Sequence, residues 1–383
     1  MIKIKKSILL PALSKVAKVI NGRSRDEALK NVRIIGADNQ LQLAATNGEQ
    51  ETVLSVACES NERLCAVVNA RAVEQIVRKF NRKDTISIET DEKSITFKTD
   101  RLSFNIGAFK ENNFRVLADT ENWTCEFSID HAIVDRINKQ LLFAAGTDES
   151  RFYLNGIHLH SDQDDDYQII AVASDAKRLA KATIYIGYTV KLAPVTVPSE
   201  FWKLTKGFFD GKQPIEVSVS QTFIRMKQGE REVISKLIDM RYPYYQNVIP
   251  RENNDYFYVD RQALIDKINE VTVVFDDKKI TPISFTFAAD KVTLGACNSE
   301  IGSLTAQFAS AEVRVRDHSN PEKSITTRFN GKLLLDILTA SDANEMFFRL
   351  DAQSPCGAAI IQPSASEELV FLDTVFLLMP YQN

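Results

Sequence analysis

His158 and His160 are the pair of residues whose type and spacing come nearest to a chemical device. Two imidazoles at i and i+2 on a strand share one face and could supply half of a metal site. The chain has four histidines in all and offers no obvious third ligand, so the pair is expected to be ordinary strand residues. The run Asp164-Asp165-Asp166 could hold a cation but reads better as a solvated hairpin turn. Gly207-Phe-Phe-Asp-Gly211-Lys212 falls short of a phosphate-binding loop: one residue is missing between the glycines, and Gln213 stands where Ser or Thr should follow. No GxGxxG or GxSxG occurs. The five cysteines, Cys58, Cys65, Cys125, Cys297 and Cys356, form no CxxC pair and are odd in number, so reduced thiols are expected rather than a disulfide framework or a zinc site. Nothing assembles a nucleophile, a base and an oxyanion hole. The expectation is a protein without catalysis, cofactor or metal.

The elements that must position any functional residue follow one plan stated three times. Phe127-Ser-Ile129-Asp130, then Asp135-Arg-Ile137-Asn138, returns about 130 residues later as Phe257-Tyr-Val259-Asp260, then Asp266-Lys-Ile268-Asn269. Ile2-Lys-Ile4 before the run Ile8 to Ile20 is a weaker first copy. A second phrase, Val67-Val68-Asn69 leading through a helical stretch to Ile86-Ser-Ile88, returns from Val195-Thr-Val197-Pro198 to Val219 and again over 324–337. Apolar spacing predicts helices over 6–20, 70–83, 130–143, 199–210, 260–275 and 330–341. Pro11 is expected in the first turns, Asp130, Ser199 and Asp260 are expected N-caps, and the β-branched Val271 to Phe275 should leave its helix early. Alternating runs such as Leu41-Gln-Leu43, Ile95-Thr-Phe97, Ile157-His-Leu159, Ile169 to Ala173, Ile215 to Val219 and Lys291 to Leu294 predict strands. Two helices and roughly eight strands per repeat imply an α+β unit whose sheet is buried on one face by its helices. The expected domains are 1–122, 123–251 and 252–383, with linkers near 115–123 and 249–255.

Composition is that of a soluble globular chain, 44% hydrophobic and 26% charged, with a formal net charge of -4. The N-terminus lacks the long apolar core of a signal peptide and no apolar run reaches membrane-spanning length, so a cytoplasmic protein is expected. The charge is unevenly shared. The six helical segments, taken generously with their flanks, carry 18 Lys and Arg against nine Asp and Glu, a net of +9 that leaves -13 for the rest. Helices gathered on one surface would make a basic face on an acidic body. Such a face suits the periodic, sequence-blind DNA backbone, although solvated helix faces decorated with Lys and Arg would look the same.

Five phrases in register carry a resemblance. They are Arg151-Phe-Tyr-Leu154-Asn155-Gly156, Ala173-Ser174-Asp175-Ala176-Lys177-Arg178-Leu179-Ala180, Arg241-Tyr-Pro243-Tyr-Tyr245-Gln-Asn-Val248-Ile-Pro250, Phe329-Asn330-Gly-Lys-Leu333-Leu-Leu-Asp336-Ile-Leu338, and the closing Leu378-Met379-Pro380-Tyr381. In this order and from end to end, the chain resembles the bacterial DNA polymerase III beta subunit, the replicative sliding clamp. The resemblance implies a non-catalytic subunit of a DNA-directed DNA polymerase complex. Three similar domains per chain form a head-to-tail homodimer, a pseudo-sixfold ring with helices inside and sheets outside. Such a ring encircles duplex DNA and slides with the polymerase. The implied partners are duplex DNA, a second copy of the chain, the polymerase III alpha subunit, an ATP-driven loader, and other polymerases and repair proteins carrying clamp-binding motifs.

Carried over residue by residue, the partner-peptide pocket should include Leu154, Ser174, Ala176, Lys177, Arg178, Leu179, Pro243, Val248, Met379, Pro380 and Tyr381, with Asn247, Ile280, Asn330 and Leu333 around its second half. Arg23, Phe152 and Tyr153 align with DNA-contacting positions. Phe104 and Ile106, opposite Val274 and Phe275, align with the ring-closing edges. The chain departs from the family where Asp175-Ala-Lys-Arg178 replaces an Asp-Gly-His-Arg type of phrase, where Asn247 replaces a basic residue, near Glu300, where Ile301-Gly-Ser-Leu304 follows in place of several acids, and in the tail Tyr381-Gln-Asn383. The alternative these departures leave open is a divergent clamp paralogue, a peptide-binding hub or decoy without DNA loading.

Overall fold

The structure is a computed structural model. It describes residues 1–383 except 61, 118–121, 163–164, 252, 254, 276–279, 289–290, 299–301, 308–312, 317–323, 352–353, 355–356, 365–371 and 382–383, and only the backbone of 298, 313–316 and 372. Asp164, Glu300, Ile301, Cys356 and the tail beyond Tyr381 therefore lie outside the described residues.

Among the described residues six α-helices and 26 strands form four sheets, every strand pair antiparallel. The helices are α1 (Lys6–Val16), α2 (Ala70–Lys79), α3 (His131–Gln140), α4 (Ser199–Thr205), α5 (Arg261–Val271) and α6 (Gly331–Ala340). All are shorter than their periodicity predicts, and the reasons are local. α1 passes into the 3-10 turn Ala17–Val19. α4 stops two residues before Gly207, whose φ of +68 no right-handed helix accepts. The β-branched end of α5 tightens into the 3-10 turn Thr272–Val274, as expected. α1 starts at Lys6 as the periodicity predicts and Pro11 lies in its second turn, on an exposed face with Ser7 and Ile8 where a carbonyl that loses its N–H partner can turn to water. Ile8, counted in the apolar stripe, is likewise exposed.

Asp260 caps α5 as predicted, its carboxylate accepting from Ala263 N–H at 2.7 Å. Ser199 does not cap α4. It is the first helical residue, and both its backbone N–H and its hydroxyl donate to the Asn155 carbonyl. The helices as built carry 11 basic and six acidic residues, so much of the positive excess, including Lys18, Arg23, Arg82 and Lys83, lies just beyond the helix ends.

Two compact units result, Met1–Val134 with Glu200–Ile238 and Asp135–Ser199 with Asp239–Asn383. The middle repeat thus divides its strands between them. In the first unit an eight-stranded sheet runs from Cys125–Ile129 through Ile215–Val219, Phe223–Gln228 and Arg231–Lys236 into the strands Gln50–Ala57, Gln40–Thr46, Asn31–Ala37 and Leu64–Asn69. The join is the Arg231↔Leu54 register. A five-stranded sheet in the same unit ends on the edge strand Ser103–Gly107. Helices α1 and α2 are tied head to tail: Lys6 Nζ donates to the Arg78 and Phe80 carbonyls at the end of α2, a cation at a helix C-terminus, and Ser14 Oγ donates to Glu74 at 2.7 Å. Leu9, Leu13 and Val16 of α1 and Val73 and Val77 of α2 are buried.

The second unit repeats the arrangement with a nine-stranded and a four-stranded sheet. Its decisive join pairs Arg178–Tyr185 with the last strand, Leu372–Leu378, in the register Leu179↔Leu377. Phe257, Phe285, Phe287, Phe329 and Phe348 are fully buried and pack ring against ring in its core.

Candidate functional site

The sheet join of the second unit builds a cleft with two recesses that share Arg151 and Leu154. The first, about 300 Å³, is apolar. Leu154, Leu179 and Leu377 belong with Tyr242 and Tyr245 to one buried cluster that forms its base, while Pro243, Val248 and Met379 stand exposed around it. The base exists because Leu179 and Leu377 are register partners on adjacent strands and so project to the same face.

The two histidines lie beneath this recess. His158 stacks on Tyr242, ring centroids 4.5 Å apart and nearly parallel, and its Nδ1 lies 3.1 Å from Thr196 Oγ1. Burial, with a smaller push from His160, holds its pKa down at about 4, so the ring is neutral. His160 Nδ1–H donates to the Ser161 carbonyl at 2.6 Å, which leaves Nε2 to accept from the Tyr245 hydroxyl at 3.0 Å. Burial also pushes both tyrosine hydroxyls to higher pKa. The described residues contain no group of metal-ligating side chains. The histidine pair buttresses two aromatic walls.

The turn 174–178 separates the recesses and is held from inside. Ser174 Oγ accepts from Ala176 N–H and donates to the Arg178 carbonyl, and Asp175 Oδ1 accepts from the Lys177 and Arg178 N–H groups. Ala176 sits at φ +72, a left-handed conformation that suits the glycine of the family phrase better than alanine. Arg178, its side chain only 10% exposed, forks to Asp175 at 3.1 Å, Asp336 of α6 at 2.7 Å and the Phe143 carbonyl at 2.7 Å, with its guanidinium over the Phe143 ring. Met379 N–H donates to the Lys177 carbonyl at 2.9 Å, fixing the terminal segment beside the turn.

The second recess, about 290 Å³, is polar, with Asp148, Asn155, Asp175 and Lys177 facing Ile280, Asn330 and Leu333. Asn330 is nearly buried because it caps α6: its Oδ1 accepts from Lys332 N–H at 3.0 Å and from the Thr281 hydroxyl at 3.2 Å. The structure therefore brings Leu154, Ser174, Ala176, Arg178, Leu179, Pro243, Val248 and Met379 to the first recess and Lys177, Ile280, Asn330 and Leu333 to the second. Asn247 is exposed and lines neither, and Pro380 and Tyr381 also lie off both, Tyr381 N–H donating to the Arg328 carbonyl. Sequence reasoning missed Arg151, Tyr242, Tyr244, Tyr245 and Leu377 as lining residues. The tyrosines flank Pro243 in a phrase already singled out, and Leu377 lies two residues before Met379 on the same strand face, so the signal was present.

Other site residues are scattered. Tyr153, aligned with a DNA-contacting position, lines the apolar recess, whereas Phe152 beside it is 47% exposed. Arg23 is exposed on the turn after α1. Nearby in the first unit the pKa of Lys15 is lowered, first by burial and then by Arg231 and Lys18, which marks a local gathering of cations. Phe104 and Ile106 are half-buried on the edge strand, Phe104 packing edge-on against Phe80. Val274 is buried within its own unit, and the apolar side chain that the same turn exposes is Val273, at 72%.

Repeated α+β segments, sheets continuous across the repeats and an apolar recess beside a polar one are the features to be matched with known proteins. Residues 1–118, 128–244 and 246–372 match the N-terminal, central and C-terminal domains of the DNA polymerase III beta subunit. The chain is 26% identical over 381 residues to a beta sliding clamp of Pseudomonas putida, covering 98% of each, and 25% identical over 367 residues to that of Escherichia coli K12, covering 93% of this chain and 97% of the relative. A sliding clamp of Bartonella birtlesii solved with griselimycin superposes with a TM-score of 0.88 at 25% identity, over 100% of this chain and 99% of that one. The chain belongs to the DNA polymerase III beta subunit family, the bacterial DNA sliding clamps.

Proposed function

We propose that two copies of this chain close head to tail into a ring around duplex DNA, and that the two-recess cleft tethers the replicative polymerase and other DNA-processing proteins by a short peptide. The ring opens through an ATP-driven loader, since the chain has no nucleotide-binding loop of its own. The edge strand Ser103–Gly107, whose only strand partner among the described residues is Ser94–Lys98, presents Phe104 and Ile106 for closure, and Val273 and Phe275 are the matching apolar groups of the third segment. Pairing would cover an otherwise adhesive edge. Arg23 and the exposed Phe152 face the DNA in this reading, whereas Tyr153, aligned with a DNA-contacting position, belongs to the recess, and the cations around α1 supply weak phosphate contacts that allow sliding. The observation that carries the proposal is the cleft. An apolar recess able to take leucine or phenylalanine anchors, with a polar recess beside it, is intact in a chain that matches the clamp family along its length. A decoy without DNA loading has no structural observation in its favour.

Light scattering across a dilution series tests closure. A mass of about twice the 43.1 kDa chain, persisting on dilution and accompanied by retention on circular but not linear DNA after loading, is the expected result. A stable monomer that never remains on circular DNA would overturn the proposal.

A further inference from the structure

Resting on the tethering role of the cleft, we infer that Lys177 selects peptides carrying an acidic residue beside their apolar anchors. The charges lining the two recesses are otherwise matched. Arg151 pairs with Asp148, and Arg178 with Asp175 and Asp336. Lys177 is exposed, lines the polar recess, and among the described residues has no carboxylate within ion-pair distance. Its position is fixed by the turn. Its N–H is held by Asp175 Oδ1 and its carbonyl by Met379 N–H, and Met379 borders the apolar recess. A peptide anchored in the apolar recess and continuing into the polar one must pass this unmatched ammonium. A carboxylate there completes a pair, an amide does not, and a second ammonium is repelled.

The test uses fluorescein-labelled nine-residue peptides with leucine and phenylalanine anchors, in which Asp, Asn or Lys is walked through the flanking positions, titrated by anisotropy against the full-length protein. At one position the Asp peptide should bind about five-fold tighter than the Asn peptide, with the Lys peptide weaker still, and the gap should close in high salt. Lys177→Gln should equalise the Asp and Asn peptides. Lys177→Glu should reverse the order, and Lys177→Arg should preserve it, which separates charge from shape. An Asp-to-Asn ratio that Lys177→Gln leaves unchanged overturns the inference while the tethering role stands. Failure of every peptide to bind the unaltered protein overturns both.

Discussion

The two recesses of the cleft lie side by side, share Leu154 and Arg151, and are built on opposite principles. The apolar recess rests on a sheet. Leu179 and Leu377 are register partners, Tyr242 and Tyr245 are braced by histidines, and Arg178 at its corner is almost buried. The polar recess rests on turns and a helix cap, and its ion pair Arg151–Asp148 is nearly half exposed. The first is therefore expected to supply affinity and stability and the second to supply choice among partners, because desolvated contacts are worth more than screened ones.

That division can be broken in four ways, taken from the largest effect to the smallest. Removing residues 379–383 takes away the Met379 rim and its bond to Lys177, and peptide binding should fall by about 100-fold or more, as for loss of an interface hot spot. The mass by light scattering should stay that of the undeleted protein. Undiminished binding would place the anchor elsewhere. Next, Arg178→Ala removes a nearly buried guanidinium with three directed bonds, leaving Asp336 only Lys332 and Asp175 only backbone N–H donors, and should cost about 2 kcal/mol in urea unfolding, whereas Arg151→Ala should cost less than about 1 kcal/mol. Equal costs would erase the distinction between the recesses. Lys in place of Arg178 should recover less than half, since a single nitrogen cannot reach the three acceptors that Nε, Nη1 and Nη2 of the planar fork meet separately.

The third way is pH. His158 titrates near 4 when folded against an ordinary 6.5, so below 6.5 the unfolded chain takes up the proton first. Stability is complete above that value and should fall by roughly 2 kcal/mol as pH drops towards 4. His158→Phe should flatten that part of the profile, and an unchanged slope would mean that other groups carry it. Last, the Tyr242 hydroxyl is buried without a hydrogen-bond partner among the described residues, so Tyr242→Phe should be neutral or stabilising by up to about 1 kcal/mol and should leave peptides with leucine anchors bound as before. Weakened binding would mean that the hydroxyl faces the peptide.

Much of this was legible beforehand. Helix positions, the N-cap at Asp260, the early end of α5 and most of the apolar recess follow from periodicity, β-branching and the family phrases. What failed shows where local signals stop. Ser199 has the right type for a cap, but the Asn155 carbonyl, distant in sequence, takes its hydroxyl. Val274 and Val273 are alike in sequence, and only packing decides that the first is buried and the second exposed. His158 and His160 read as ordinary strand residues, but spacing reveals only a shared face and not what covers it, and two tyrosines from another segment do.

By itself, then, the sequence determined that the chain is a threefold α+β repeat, because hydrophobic period and repeated phrases are local properties. It also named residues that line the apolar recess, since Leu179, Pro243 and Met379 lie in phrases that carry the family pattern. Only the tertiary structure decided that the compact units cut through the middle repeat, because strand pairing such as Arg231 with Leu54 and Leu179 with Leu377 joins segments far apart in the chain. It alone decided which charges are matched. An ion pair depends on distance in space, and among the described residues Lys177 stands without a carboxylate partner while Arg178, the next residue, has two.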